Sequence, residues 1–155
     1  MQRTALFITI VLSCLTRTLF AANPVEIVIG DSQYYNEDNV TIDTVESSGS
    51  GFSVGAVVTV KGTYTLNSLT EAELGFYSTV SLKDGEKPTP VPVELSQRVE
   101  ARNGKQSFSL SMVVRDTGNP HLTFYHRKTG KPFGGVYFGD KRNVLMKKGW
   151  TYERP

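Results

Sequence analysis

The chain has 155 residues, 39% of them hydrophobic, with 17 Lys+Arg against 15 Asp+Glu. That apolar content and small net charge exclude a disordered chain, and the length suits one domain that buries roughly two-thirds of its unfolded surface. No apolar run reaches the roughly 18 residues that a membrane-spanning helix requires.

The first 22 residues read as an export signal. Arg3 supplies the positive start, Thr4 to Leu15 the apolar stretch, and Ala21-Ala22 the small residues for cleavage. The expectation is soluble export, secreted or periplasmic, with cutting near Ala22. Leu12-Ser13-Cys14 also resembles a bacterial lipobox, so a lipoprotein anchored through Cys14 is the alternative. Cys14 is the only cysteine, so the mature chain has no disulfide, thiolate metal site or cysteine nucleophile. An exported domain without disulfide staples points to a bacterial setting.

Removing the leader leaves residues 23–155 as a single expected domain, and exposes a polarity that the overall charge hides. Residues 23–100 carry 12 acids and 4 bases, whereas 101–155 carry 11 bases and 3 acids. Early and late strands that interleave in one sheet would neutralise each other. A basic face for an anionic partner is the competing reading.

Periodicity two runs through the chain. Val25 to Ile29 is expected as a short strand ending at Gly30-Asp31. Val40 to Val45 alternates next, followed by a flexible turn over Ser47 to Gly51. Ala56 to Leu66 alternates with Val58, Val60, Tyr64 and Leu66 on one face. Ala72 to Leu82 repeats the pattern with Leu74, Phe76, Val80 and Leu82 inward, although Leu69, Ala72 and Phe76 could open a helical turn. Pro88, Pro90 and Pro92, spaced two apart, would leave three missing donors along one side and mark an edge strand.

Val93, Leu95 and Val99 follow, and Asn103-Gly104 is expected to be a hairpin turn. Phe108, Leu110, Met112 and Val114 return along the next strand, with Ser107, Ser109 and Ser111 outward. Asp116 to Pro120 turns into Leu122–Tyr125, Lys128 to Lys131 turns into Phe133–Phe138, and Val144 to Met146 begins the last element. About seven to nine such strands, with no amphipathic helix of three turns, predict an all-β antiparallel sandwich, immunoglobulin-like or a related Greek key.

Catalytic motifs are poorly represented. No Gly-x-Ser-x-Gly occurs, and Asp140-Lys141 stands where the P-loop spacing from Gly134 to Gly139 requires Lys-Ser/Thr, which excludes nucleotide binding there. His121 and His126 lie five apart on an expected strand and face opposite sides, so they cannot chelate one ion together. Asp31, Glu37, Asp38 and Asp43, with Asn36 and Asn39, lack the order of a calcium loop and read as a solvated segment. No metal or cofactor is expected, and no nucleic-acid partner.

Aromatic residues are the most suggestive class. Tyr34-Tyr35 sits in a polar stretch with no evident core to fill. Alternation sends Phe124 and Phe138 inward and Tyr125 and Tyr137 outward, beside Arg127 and Lys128. With Trp150 they form the candidate ligand-binding set, suited to stacking on sugar rings or to a protein contact. The expected function is an exported, non-catalytic module that binds extracellular polysaccharide or a protein. A hydrolase with an unrecognised carboxylate pair is the alternative.

Overall fold

The computed structural model describes residues 22–79, 95–115 and 118–141. They form seven strands: β1 (Asn23–Pro24), β2 (Val28–Gln33), β3 (Asn39–Ser47), β4 (Val57–Thr79), β5 (Arg98–Val113), β6 (Asn119–Tyr125) and β7 (Pro132–Gly139). No helix occurs among the described residues. Every pairing is antiparallel, within one sheet of order β1-β3-β4-β6-β7-β2, and the sheet curls into a half-barrel. The other edge of β4 is taken by β5. The expected leader, Val80 and Leu82, the Pro88–Pro92 edge strand, Val93, Asp116, Val144–Met146 and Trp150 lie outside the described residues.

The spine is a bent ribbon of β4 and β5. Val58, Val60, Tyr64, Leu66, Ala72, Leu74 and Phe76 all keep to the inner side of β4 and are at most 2% exposed. Threonines at 59, 63 and 65 take the outer side, where β-branching favours extended backbone. Two strands were expected here. Instead, one 23-residue strand crosses both halves of the sheet, with β3 paired along its first part and β6 along its last.

The break expected between those strands is a bulge. Leu66 pairs with Gly104 and Glu71 with Arg102, so Asn67 to Thr70 face Asn103 alone. Extra residues on one strand bend it and sharpen its twist. Asn103 Nδ2 donates to the Leu66 and Leu69 carbonyls at 3.0 and 3.4 Å. Asp38 closes the other side: its Oδ1 accepts from the Asn67 and Ser68 amides at 2.6 and 3.0 Å, and its Oδ2 accepts from the Ser68 hydroxyl. The acidic segment expected to be solvated thus contains a carboxylate that is only 3% exposed.

Asn103-Gly104 is therefore not a hairpin turn. It lies within β5, where Gly104 adopts φ 97°. The same preference for positive φ that serves a tight hairpin serves a bulge. Its effect is a change of phase: β5 faces inward with Val99 and Ala101 before it, and with Phe108, Leu110 and Met112 after it.

The ribbon folds back far enough for the Ser111 amide to donate to the Ser96 carbonyl at 2.8 Å. The inner faces of its two halves share one core, where Tyr64 meets Phe124 edge-on at 5.9 Å. The Tyr64 hydroxyl accepts from the Arg102 amide at 3.1 Å. Phe138 stacks on Phe76 at 5.4 Å and meets Phe52 at 6.0 Å. Strand β2 begins three residues later than expected and runs past Gly30-Asp31, with a register shift between Ile29 and Ser32 against β7. The Ser47–Gly51 turn is tied down, with Ser47 Oγ donating to the Gly51 carbonyl at 2.6 Å and Ser48 Oγ accepting from the Val57 amide at 2.9 Å.

Candidate functional site

On the outer face of the second half, the pairing registers lay out three rungs. The first runs Glu100–Glu73–Tyr125, the second Arg98–Gly75–Thr123–Gly135, and the third Tyr77–His121–Tyr137. The middle rung is a trough, because two of its members are glycines and Thr123 is 1% exposed. Rings from the flanking rungs lean into it. A Cβ on Gly75 would collide with Tyr77 and come within 3.1 Å of Tyr125, so the bare backbone is what seats both rings.

There Tyr77 and Tyr125 meet edge-to-face, with centroids 5.9 Å apart and planes at 87°. The Arg98 guanidinium lies over both, 5.3 Å from one centroid and 5.1 Å from the other. Arg98 Nη1 donates to Glu73 Oε2 at 2.8 Å and its Nε to the Tyr77 hydroxyl. These partners, Tyr77 foremost, raise its already high pKa and keep it cationic. Burial pushes the Tyr125 phenol up to about 12. His121 completes the cluster, 6.4 Å from Tyr77 and 5.3 Å from Tyr137. Its Nδ1 lies 3.2 Å from the Asn119 carbonyl. Burial lowers its pKa, which favours the neutral ring.

Charges rim the cluster. Arg127 Nη1 bridges Glu71 at 2.8 Å and Glu100 at 2.9 Å, and Arg102 approaches Glu100 at 3.4 Å. These contacts join the basic late segment to the acidic early one, as interleaved strands should. All are solvent-accessible pairs, of the kind that contribute little stability each.

The expected site residues separate under this geometry. Tyr125 is half-buried within the cluster, Arg127 is exposed at its rim, and Lys128 is exposed in the β6–β7 turn. Tyr137 shares their outer face but is only 7% exposed, so the expectation of a free outward ring is corrected: it packs beside His121. Tyr34 is corrected too. It packs partly buried against the core near Gly134, and burial pushes its phenol well up. Tyr35 is half-buried, and its hydroxyl accepts from Gln33 Nε2 at 2.5 Å. Neither ring belongs to the cluster on the three rungs. His126 lies beyond the end of β6, against Phe133 at 4.8 Å, well separated in role from His121.

Tyr77, Arg98, Glu73 and His121 were absent from the expected set. Alternation does place Glu73 and Tyr77 outward once Leu74 and Phe76 are inward. Only the register of β4 against β5 and β6 brings them together with Arg98 and His121. Among the described residues, no three His, Cys, Asp or Glu side chains are grouped to hold a metal. No helix among them is long and apolar enough to cross a membrane. No family model matches the chain, and neither curated proteins nor solved structures give a match.

Proposed function

We propose that this chain is an exported, non-catalytic β-domain, a sandwich-like scaffold, that binds a protein partner through the Tyr77–Arg98–Tyr125 cluster. The observation that carries the reading is the guanidinium lying over two tyrosine rings that are themselves seated on a glycine. Tyrosine and arginine are the residues that dominate binding energy at protein interfaces, where preformed rings order at little entropic cost. A sugar would need an open ring face for stacking, and Arg98 already lies over both rings. That favours protein over polysaccharide. Glu71, Glu73 and Glu100 each hold an arginine, which supports binding over hydrolysis by an acid pair.

The test compares wild type with Arg98→Ala and Tyr125→Ala, immobilised and exposed first to an extracellular protein fraction and then to a panel of polysaccharides. A protein retained by wild type and lost by both variants is the expected result. Retention of a polysaccharide, or release of reducing sugar from one, refutes the assignment.

A further inference from the structure

Among the described residues, Lys105 to Ser109 of β5 form an open sheet edge, paired with β4 alone. Successive residues of an antiparallel strand turn their backbone groups to opposite sides. The Val114 amide donates to the Ala56 carbonyl at 2.9 Å, which fixes the even-numbered residues of this stretch toward β4. The odd-numbered Ser111 amide donates the other way, to Ser96. Lys105, Ser107 and Ser109 therefore aim their N–H and C=O groups away from β4, and all three are exposed. The window has defined ends. Gly104 redirects the chain on one side, and the Ser96–Ser111 bond occupies the edge on the other.

We infer that this edge pairs antiparallel with the same edge of a second copy of the chain, about a two-fold axis through Ser107. In that register Ser107 faces Ser107, and each Lys105 faces Ser109 of the second copy. All of these are odd-numbered residues, so every rung presents its free donor and acceptor to the other copy. Charge selects the register. An axis through Lys105 would set two ammonium groups directly opposite, which is destabilising. An axis through Ser109 would need the Ser111 amide, which Ser96 already takes. Lys105 is the only charge in the window, so an acidic strand would find little to match there, whereas serine against serine needs no counter-charge. An exposed lysine on an edge also limits the strength of pairing. The association belongs to the weak class, below about 1,200 Å² of buried surface.

Two experiments test it, both in a Cys14→Ser background. Sedimentation of the exported chain over a range of concentrations should show the mass rising from monomer toward dimer. Ser107→Pro should remain monomeric with an unchanged melting temperature, because the Ser107 amide serves the edge and not β4. A cysteine scan then checks the register without proline. Opposed residues of a hydrogen-bonded pair lie about 5.5 Å apart, within disulfide reach. Ser107→Cys should therefore oxidise to a covalent dimer at least about tenfold faster than Lys105→Cys or Ser109→Cys. A wild type that stays monomeric, or three cysteines that cross-link equally, overturns the inference.

Discussion

Removing the Asp38 carboxylate should separate the two halves of the sheet energetically. Asp38 is 3% exposed and accepts three hydrogen bonds, all from the bulge of β4. Hydrogen bonds to a charged group contribute about 1.5–3 kcal/mol each, and a donor left without a partner costs about 1–3 kcal/mol. Asp38→Ala strands two backbone amides, those of Asn67 and Ser68. Because Asn67 is exposed, water recovers part of its loss. Desolvating the carboxylate no longer costs anything either. The net expectation is about 3 kcal/mol, a large share of the roughly 5–15 kcal/mol by which a domain of this size is stable. Asp38→Asn keeps an oxygen for both amides but loses the charge, and should cost about 1–2 kcal/mol. Urea denaturation reads both values from the shift in midpoint, provided the slope is unchanged. If Asp38→Ala costs under about 1 kcal/mol, or Asp38→Asn is the less stable of the two, the bulge is held by something else.

Tyr137→Ala should lose about 3 kcal/mol, roughly 10 °C in melting temperature, because the ring is buried, whereas half-buried Tyr125→Ala should lose about half as much; equal melts would contradict this ordering. His121 gives a pH signature. Its folded pKa lies below the 6.5 of the unfolded chain, so on acidification the unfolded state takes up a proton first. The stability contributed by the neutral ring is present above about pH 6.5 and is lost as pH falls through the window beneath it. His121→Phe should flatten the wild-type fall in melting temperature between about pH 7 and 5. A fragment of residues 23–100 should show no cooperative thermal transition, since β4 would then lack β6 and all but the first three residues of β5; a sharp melt would reveal an independent unit.

Alternation in the sequence identified which residues of β4 face the core, and every one of those described is buried. It did not identify β4 as one strand. The stretch between the two expected strands, Asn67 to Thr70, is a bulge whose Asn67 and Ser68 amides are satisfied by Asp38, nearly thirty residues earlier. Nothing local to the bulge reveals that partner. Asn103-Gly104 was ambiguous for a related reason: the dipeptide encodes a positive φ, which hairpins and bulges both use. The phase change from Val99 and Ala101 to Phe108 and Leu110 does not separate the two readings, since a two-residue hairpin would also set Val99 and Phe108 on one face; the pairing of both halves of β5 with β4 does.

The candidate site was legible only in part, because its geometry is a matter of register. Tyr125 could be placed on an outer face from its neighbour Phe124 alone. Its partners Tyr77 and Arg98 are distant in sequence, and no periodicity within one strand relates them. Tyr34 illustrates the opposite error. A ring in a polar stretch looked free of the core, but Tyr34 packs against the core beside Gly134 on β7, and that surface belongs to another strand.

Two chemically different outer faces arise from the one bent ribbon. Before the bulge, the outer face carries small hydroxylated residues such as Thr41–Thr63–Ser107 and Thr59–Ser111, beside the Lys61–Glu46 ion pair; beyond it, the rungs carry tyrosines and a cluster of arginines and glutamates. The proposed self-pairing edge belongs to the first half and the proposed binding cluster to the second, so a dimer formed through Ser107 would present two free clusters. Two linked sites strengthen retention on a repetitive partner by about 10²–10⁴ without any new contact, and do nothing for a partner with a single site. Ser107→Pro should therefore weaken retention on a densely coated surface of the partner while leaving affinity for the same partner in dilute solution unchanged. Surface-binding measurements at high and low coating density read both quantities from one preparation. An equal loss at the two densities would mean that the edge and the cluster are not independent, and that the division of the ribbon into two working faces is wrong.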